Sequence, residues 1–180
     1  MSKDSIALIG FMATGKSTVG KAIKKRLGKS YRFVETDQVV IEITGKSIPK
    51  IFAEDGEAKF RDYEIEACKR VARLSKVIIS CGGGVVLNQV NIDVLKQSCY
   101  IILLTATPEV IYDRAMREGI KNRPIIDKKD PLKEIEKNLH YRNPYYYSST
   151  EIVIDTSEKQ IEEIVDEILL KTNLSKKKKK

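Results

Sequence analysis

Eight residues near the start of the chain, Gly10-Phe11-Met12-Ala13-Thr14-Gly15-Lys16-Ser17, have the types and spacing needed to hold phosphate. They fit G-x-x-x-x-G-K-[ST]. In that pattern the glycines let backbone N–H groups turn inward around phosphate oxygens. The lysine reaches the β- and γ-phosphates, and the serine hydroxyl can ligand Mg²⁺. A helix expected to start at Lys16 aims its N-terminus at the same anions. The pattern arises by chance in under about 1% of chains of this length. Gly28-Lys29-Ser30 and Gly45-Lys46-Ser47 also spell GKS, but Ile23 and Val40 stand where the first glycine would be. Both read as helix-end turns. No guanine-reading N-K-x-D segment is present, and mechanical ATPases are usually larger. Small-molecule kinases are the leading class.

Three further groups of residues could serve a kinase. Glu35-Thr36-Asp37 follows an expected strand, and strand ends are where ligands bind in open α/β sheets. One carboxylate can hold Mg²⁺, directly or through water, while the other accepts a hydroxyl proton. Alternatively, Asp37 simply caps the next helix. Arg61 and Glu64 lie three apart on one helix face. The arginine fork suits a planar carboxylate or phosphate, and the pair also reads as a surface ion pair. Gly82-Gly83-Gly84 follows a strand and allows a ligand close to the backbone, or forms a flexible turn.

The elements that must position these groups alternate. Strands are expected at 5–9, 32–34, 77–79, 100–104 and 151–154. Helices are expected at 16–27, from Asp37 to Gly45, at 48–53, 57–74, 108–117, 131–146 and 158–170. Residues 119–130 read as a polar loop. The alternation argues for a parallel sheet covered on both faces.

The chain has 180 residues, one domain's worth, with 42% hydrophobic and 32% charged residues. No apolar run approaches the roughly 20 residues that cross a bilayer. The net charge of +8 is mostly a tail property: without Lys176 to Lys180 the balance is 28 against 25, or +3. That block reads as a disordered, solvated end. There is no Trp, and the aromatics are scattered, so no base-stacking platform for nucleic acid is visible. Three cysteines, Cys68, Cys81 and Cys99, match no zinc spacing. The N-terminus has no apolar segment. A cytoplasmic chain with reduced thiols is expected. Cys68 and Cys81 read as core, the latter near a site. His140, the single histidine, reads as structural or solvent-facing.

The order of these motifs resembles the shikimate kinase family, of the nucleoside-monophosphate-kinase-like P-loop group. The likeness runs from about Ile6 to Leu170. It rests on GFMATGKST, the acidic pair, GKSIPKIF, GEAKFRDYE, SCGGG, KNRPII, and Arg142 followed by Tyr145. The resemblance implies that Asp37 holds the shikimate hydroxyls and orients or deprotonates the nucleophile. It implies that Arg61 and Arg142 clamp the shikimate carboxylate, and that Gly82, Gly83 and Gly84 contact the ring. ATP would lie along Gly10, Ala13, Thr14, Gly15, Lys16, Ser17 and Thr18. Arg123, in the KNRPII segment, would reach its phosphates. Arg114 and Thr156 would lie on the adenine side, with Tyr145 packed under the clamp. Mg²⁺ would be held through Ser17 and Glu35.

Two departures from the family pattern stand out. Glu35 replaces the more usual Asp, and Ala13-Thr14 stands where a glycine is common. The chain is thus expected to be a three-layer α/β/α P-loop kinase with a five-stranded parallel sheet. Residues 1–172 would form one domain, with a substrate-binding insertion near 37–74 and a mobile lid near 117–130, followed by the tail at 173–180. It would be a monomer that transfers the γ-phosphoryl of MgATP to the 3-hydroxyl of shikimate. The rivals are a kinase for another small hydroxylated metabolite, such as gluconate or a nucleoside monophosphate, and a non-catalytic nucleotide-binding module.

Overall fold

The computed structural model describes residues 3–118 and 129–174. Five strands, β1 (Ser5–Ile9), β2 (Arg32–Glu35), β3 (Val77–Ser80), β4 (Cys99–Thr105) and β5 (Ile152–Asp155), form one sheet in the order β2-β3-β1-β4-β5. Every neighbouring pair is parallel. Parallel pairs need long crossovers, and helices supply them. They are α1 (Lys16–Leu27), α2 (Thr36–Thr44), α3 (Ile48–Glu54), α4 (Gly56–Ala72), α5 (Gln89–Lys96), α6 (Pro108–Glu118), α7 (Pro131–Ser149) and α8 (Ile161–Thr172). This is the expected α/β class with its five-stranded parallel sheet.

The core divides by strand parity. Ile6, Leu8, Ile78, Ile102, Leu104 and Ile154 pack against apolar residues of α1 and α8. Ala7, Ile9, Val77, Ile79, Ile101 and Leu103 pack on the opposite face, against residues such as Val71, Ile92, Ile111 and Tyr146. Alternate side chains leave opposite faces of a strand, so a sheet covered on both sides needs near-continuous apolar runs. A separate small core of Val40, Ile51, Phe60 and Ala67 joins α2, α3 and α4. No described helix is long and apolar enough to cross a membrane.

Some elements differ from expectation. The helix α5 is not anticipated by the apolar periodicity. Its start is marked instead by Asn88, whose side chain accepts from the Val90 N–H at 3.0 Å. The strand β2 runs on to Glu35, so Glu35 occupies the N-cap position of α2 and Asp37 falls in its first turn. The helix α7 continues through Pro144 to Ser149. The two extra GKS segments end helices: Gly28 N–H donates to Lys24 O and Gly45 N–H to Ile41 O. Residues 119–128, including Arg123, and 175–180 lie outside the described residues.

Candidate active site

The parallel sheet brings its carboxyl-terminal strand ends to one edge. Gly10 leaves β1 there, beside Glu35 of β2 and Ser80 of β3. The Gly10–Ser17 loop is tightly fitted. A Cβ on Gly10 would collide with the Leu104 carbonyl oxygen. Gly15, the N-cap of α1, is left-handed at φ 92°. Ala13 is also left-handed, at φ 57°. Thr14 is buried and its hydroxyl donates to Phe11 O at 2.9 Å. Lys16 Nζ donates to Gly10 O at 2.9 Å and Phe11 O at 2.7 Å, which holds the ammonium over the concave side of the loop. The first turn of α1 carries no acidic residue, so its N-terminus is free to attract an anion.

A set of oxygen donors lies beside the lysine. The Ser17 hydroxyl donates to a Glu35 carboxylate oxygen, and Ser80 Oγ stands 3.3 Å from Ser17 Oγ. Among the described residues no cluster of three His, Cys, Asp or Glu could hold a metal. Hard oxygen donors, too few for an all-protein cage, suit Mg²⁺, which keeps waters and substrate phosphate oxygens in its shell. The residues present fit that ion.

Across the cleft, the Gly82–Gly84 turn is a wall on which three charged side chains rest. A Cβ on Gly82 would lie 2.6 Å from Asp37 Oδ1, one on Gly83 3.7 Å from Arg142 Nη1, and one on Gly84 2.5 Å from Arg61 Nη1. Arg142 Nη1 donates to Gly83 O at 3.3 Å, and the Arg142 guanidinium carbon sits 5.6 Å from the Phe11 ring centre. Arg61 donates to Glu64 Oε2 at 2.9 Å and to Glu57 Oε1 at 3.1 Å. Its five N–H donors leave capacity for another anion. Asp37, Arg61 and Arg142 therefore converge, as the sequence suggested.

The acids here are perturbed. Asp37 is open to water but stands deep in the cleft, walled by protein. Desolvation raises its pKa above 3.8, while Lys16 and Arg61 pull it down and Glu35 pushes it up. Glu64 is 1% exposed, and burial raises its carboxyl above 4.5 against the opposing pull of Arg61.

Arg114 and Thr156 lie on the other side of the phosphate loop. Arg114 donates to Thr156 O at 2.6 Å, Thr156 Oγ1 at 3.0 Å and Ala13 O at 3.3 Å. The Thr156 hydroxyl in turn shares its one hydrogen between Thr105 O at 2.9 Å and Thr14 O at 3.1 Å. The loop after β5, the helix α6 and the phosphate loop are laced together there. Thr18 is exposed on α1.

Tyr146, not the expected Tyr145, packs against the glycine turn. Tyr145 is 41% exposed and pairs with Tyr141, whereas Tyr146 is 1% exposed and donates its hydroxyl to Gly83 O at 2.5 Å. Tyr146 lies four positions after Arg142, so both face one side of α7, and that spacing is the available signal. Ser80 has no signal in the sequence, and Glu64 enters there only as the ion-pair partner of Arg61. His140 is exposed and lines a cavity of about 310 Å³ behind Phe11 and Tyr146. The three cysteines are free and buried, and desolvation holds every thiol high, that of Cys99 at about 11. Cys81 directly precedes the glycine turn and is 2% exposed.

The family model for shikimate kinase matches residues 12–173. The shikimate kinase of Caldanaerobacter subterraneus subsp. tengcongensis is 41% identical over 165 residues, covering 92% of this chain and 94% of the relative. A shikimate kinase from Acinetobacter baumannii, solved in complex with shikimate, superposes with a TM-score of 0.86 at 29% identity and covers 99% of this chain and 97% of that one. The shikimate kinase of Aquifex aeolicus superposes with a TM-score of 0.79 at 37% identity, covering 94% and 96%.

Proposed function

Because this chain belongs to the shikimate kinase family, we propose that its cleft holds MgATP on the Gly10–Thr18 loop and shikimate on the Gly82–Gly84 turn. The γ-phosphoryl then passes to the 3-hydroxyl. The observation that carries this reading is the turn itself. Two guanidinium groups rest on adjacent glycines, and a carboxylate rests on the glycine before them. That is a site for a small acceptor with a carboxylate at one end and hydroxyls at the other.

Arg61 and Arg142 bind the acceptor carboxylate and fix the ring. Asp37 accepts the hydrogen of the 3-hydroxyl and aims its oxygen along the line of transfer. An oxygen–phosphorus bond forms while the bond from the γ-phosphorus to the β,γ-bridging oxygen breaks. The hydroxyl proton goes to Asp37, and ADP leaves with the electron pair. The raised pKa of Asp37 makes it a better proton acceptor than an ordinary aspartate. Lys16 neutralises phosphate charge, and catalysis is mostly positioning and charge stabilisation. Ser17 and Glu35 would hold Mg²⁺, which when bound would supply further neutralisation of the phosphates. Arg114 and Thr156 border the base side of the nucleotide. On this reading residues 1–172 act as one monomeric, cytoplasmic domain.

ADP release coupled to a reporter, with MgATP and shikimate, gluconate, AMP or CMP in turn, tests the reading. Shikimate-dependent release with a low background supports it. Release with AMP or CMP would overturn the roles of Arg61 and Arg142, and release with gluconate the choice of shikimate as acceptor. Lys16→Met is expected to abolish transfer with the fold retained, as read by circular dichroism.

A further inference from the structure

The helix α5 touches neither expected ligand, yet one of its side chains reaches the site. Asn91 is fully buried. Its Nδ2 donates to Val85 O at 3.1 Å and faces Glu64 Oε2 at 3.5 Å. Val85 continues the glycine turn, and its N–H donates back to Gly82 O. Glu64 in turn holds Arg61. One amide thus spans the wall of the acceptor cleft and one arm of its clamp.

Local helix chemistry does not account for this asparagine. Asn is a poor helix former, and a buried amide is costly unless hydrogen-bonded. Ile92 and Leu95 already supply the apolar face of α5. Its polar contacts all lead toward the cleft. Among the described residues, only Arg61 and Asn91 hydrogen-bond to the Glu64 carboxylate, and its Oε1 accepts no hydrogen bond. The orientation of Glu64 therefore depends on those two partners.

We propose that Asn91 is a positioning residue for the acceptor. Through Glu64 and Val85 it fixes the Arg61 guanidinium over Gly84, and so sets the shape of the carboxylate site without touching the acceptor. The inference rests on the acceptor clamp proposed above.

Steady-state kinetics on Asn91→Leu, which keeps the size and removes the donor, tests it. The KM for shikimate should rise about tenfold, the scale of a lost hydrogen bond to a charged group. The KM for ATP and kcat at saturating shikimate should stay unchanged. If Asn91 acts through Glu64, the KM effects of Asn91→Leu and Glu64→Gln will not multiply in the double variant. An unchanged shikimate KM, an equal loss for ATP, or a fully multiplicative double variant overturns the proposal. Asn91→Ala, which removes the donor without adding bulk or charge, gives the same reading if Asn91→Leu melts too low. Arg61→Ala separates this failure from that of the clamp. If Arg61→Ala raises the shikimate KM and Asn91→Leu does not, only the positioning role falls. If neither does, the clamp falls too.

Discussion

Ala13 bears an avoidable cost. Its Cβ sits in a left-handed backbone conformation, φ 57°, which disfavours an L residue by roughly 1–2 kcal/mol. Glycine would relieve that and lose part of the gain to its freer unfolded chain. Ala13→Gly should stabilise the protein by about 0.5–1 kcal/mol in urea unfolding and leave transfer intact, because the side chain does no chemistry. The opposite substitution matters at Gly84. A Cβ there meets Arg61 Nη1 at 2.5 Å, the far end of a flexible side chain. Gly84→Ala should fold normally and raise the KM for shikimate with little change for ATP. A shift in both would place Gly84 in a shared element rather than in the acceptor wall. Glu64 gives a pH signature. Burial holds its folded pKa above 4.5, so between 4.5 and that value the native state binds more protons than the unfolded state. Its contribution is fully present below pH 4.5 and is lost as pH rises through the folded pKa. The unfolding free energy of the wild type minus that of Glu64→Gln should fall across that window. A difference independent of pH would contradict the assignment.

Elements explain what the sequence shows and what it hides. The phosphate loop is legible because its chemistry is local: ten consecutive residues contain the strand end, the turn glycines and the helix start. The carboxylate clamp is legible only in parts. Arg61 and Arg142 lie 81 positions apart in the sequence, and the fold alone sets both on one turn. The helix α5 escapes the periodicity because its β-branched residues resemble a strand, and only the Asn88 cap marks its start. Tyr146 is hidden among three consecutive tyrosines, and its spacing from Arg142 is the one sequence mark that sets it apart before burial does. The hydroxyl of Tyr146 makes α7 a brace for the glycine turn. Tyr146→Phe should weaken shikimate binding by about 1 kcal/mol, one hydrogen bond's worth, with ATP affinity preserved. Isothermal titration with each ligand separates the two effects.

At the scale of the whole molecule, the two ligand sites share a wall. Phe11 belongs to the phosphate loop and lies under Arg142 of the acceptor clamp. On the proposed reading the edge of a single parallel sheet carries both ligands. Whatever factor ATP lends to shikimate affinity, shikimate must return to ATP. The same sheet also buries Cys68, Cys81 and Cys99 in one apolar cluster, with their thiols held protonated by desolvation. A thiol is labelled only as thiolate and only when reached. The chain thereby carries three native reporters of its own opening, spread over α4, the end of β3 and the start of β4. Labelling of intact protein by a maleimide should be slow and follow the global unfolding equilibrium. MgATP should slow it further in proportion to binding, without any engineered probe.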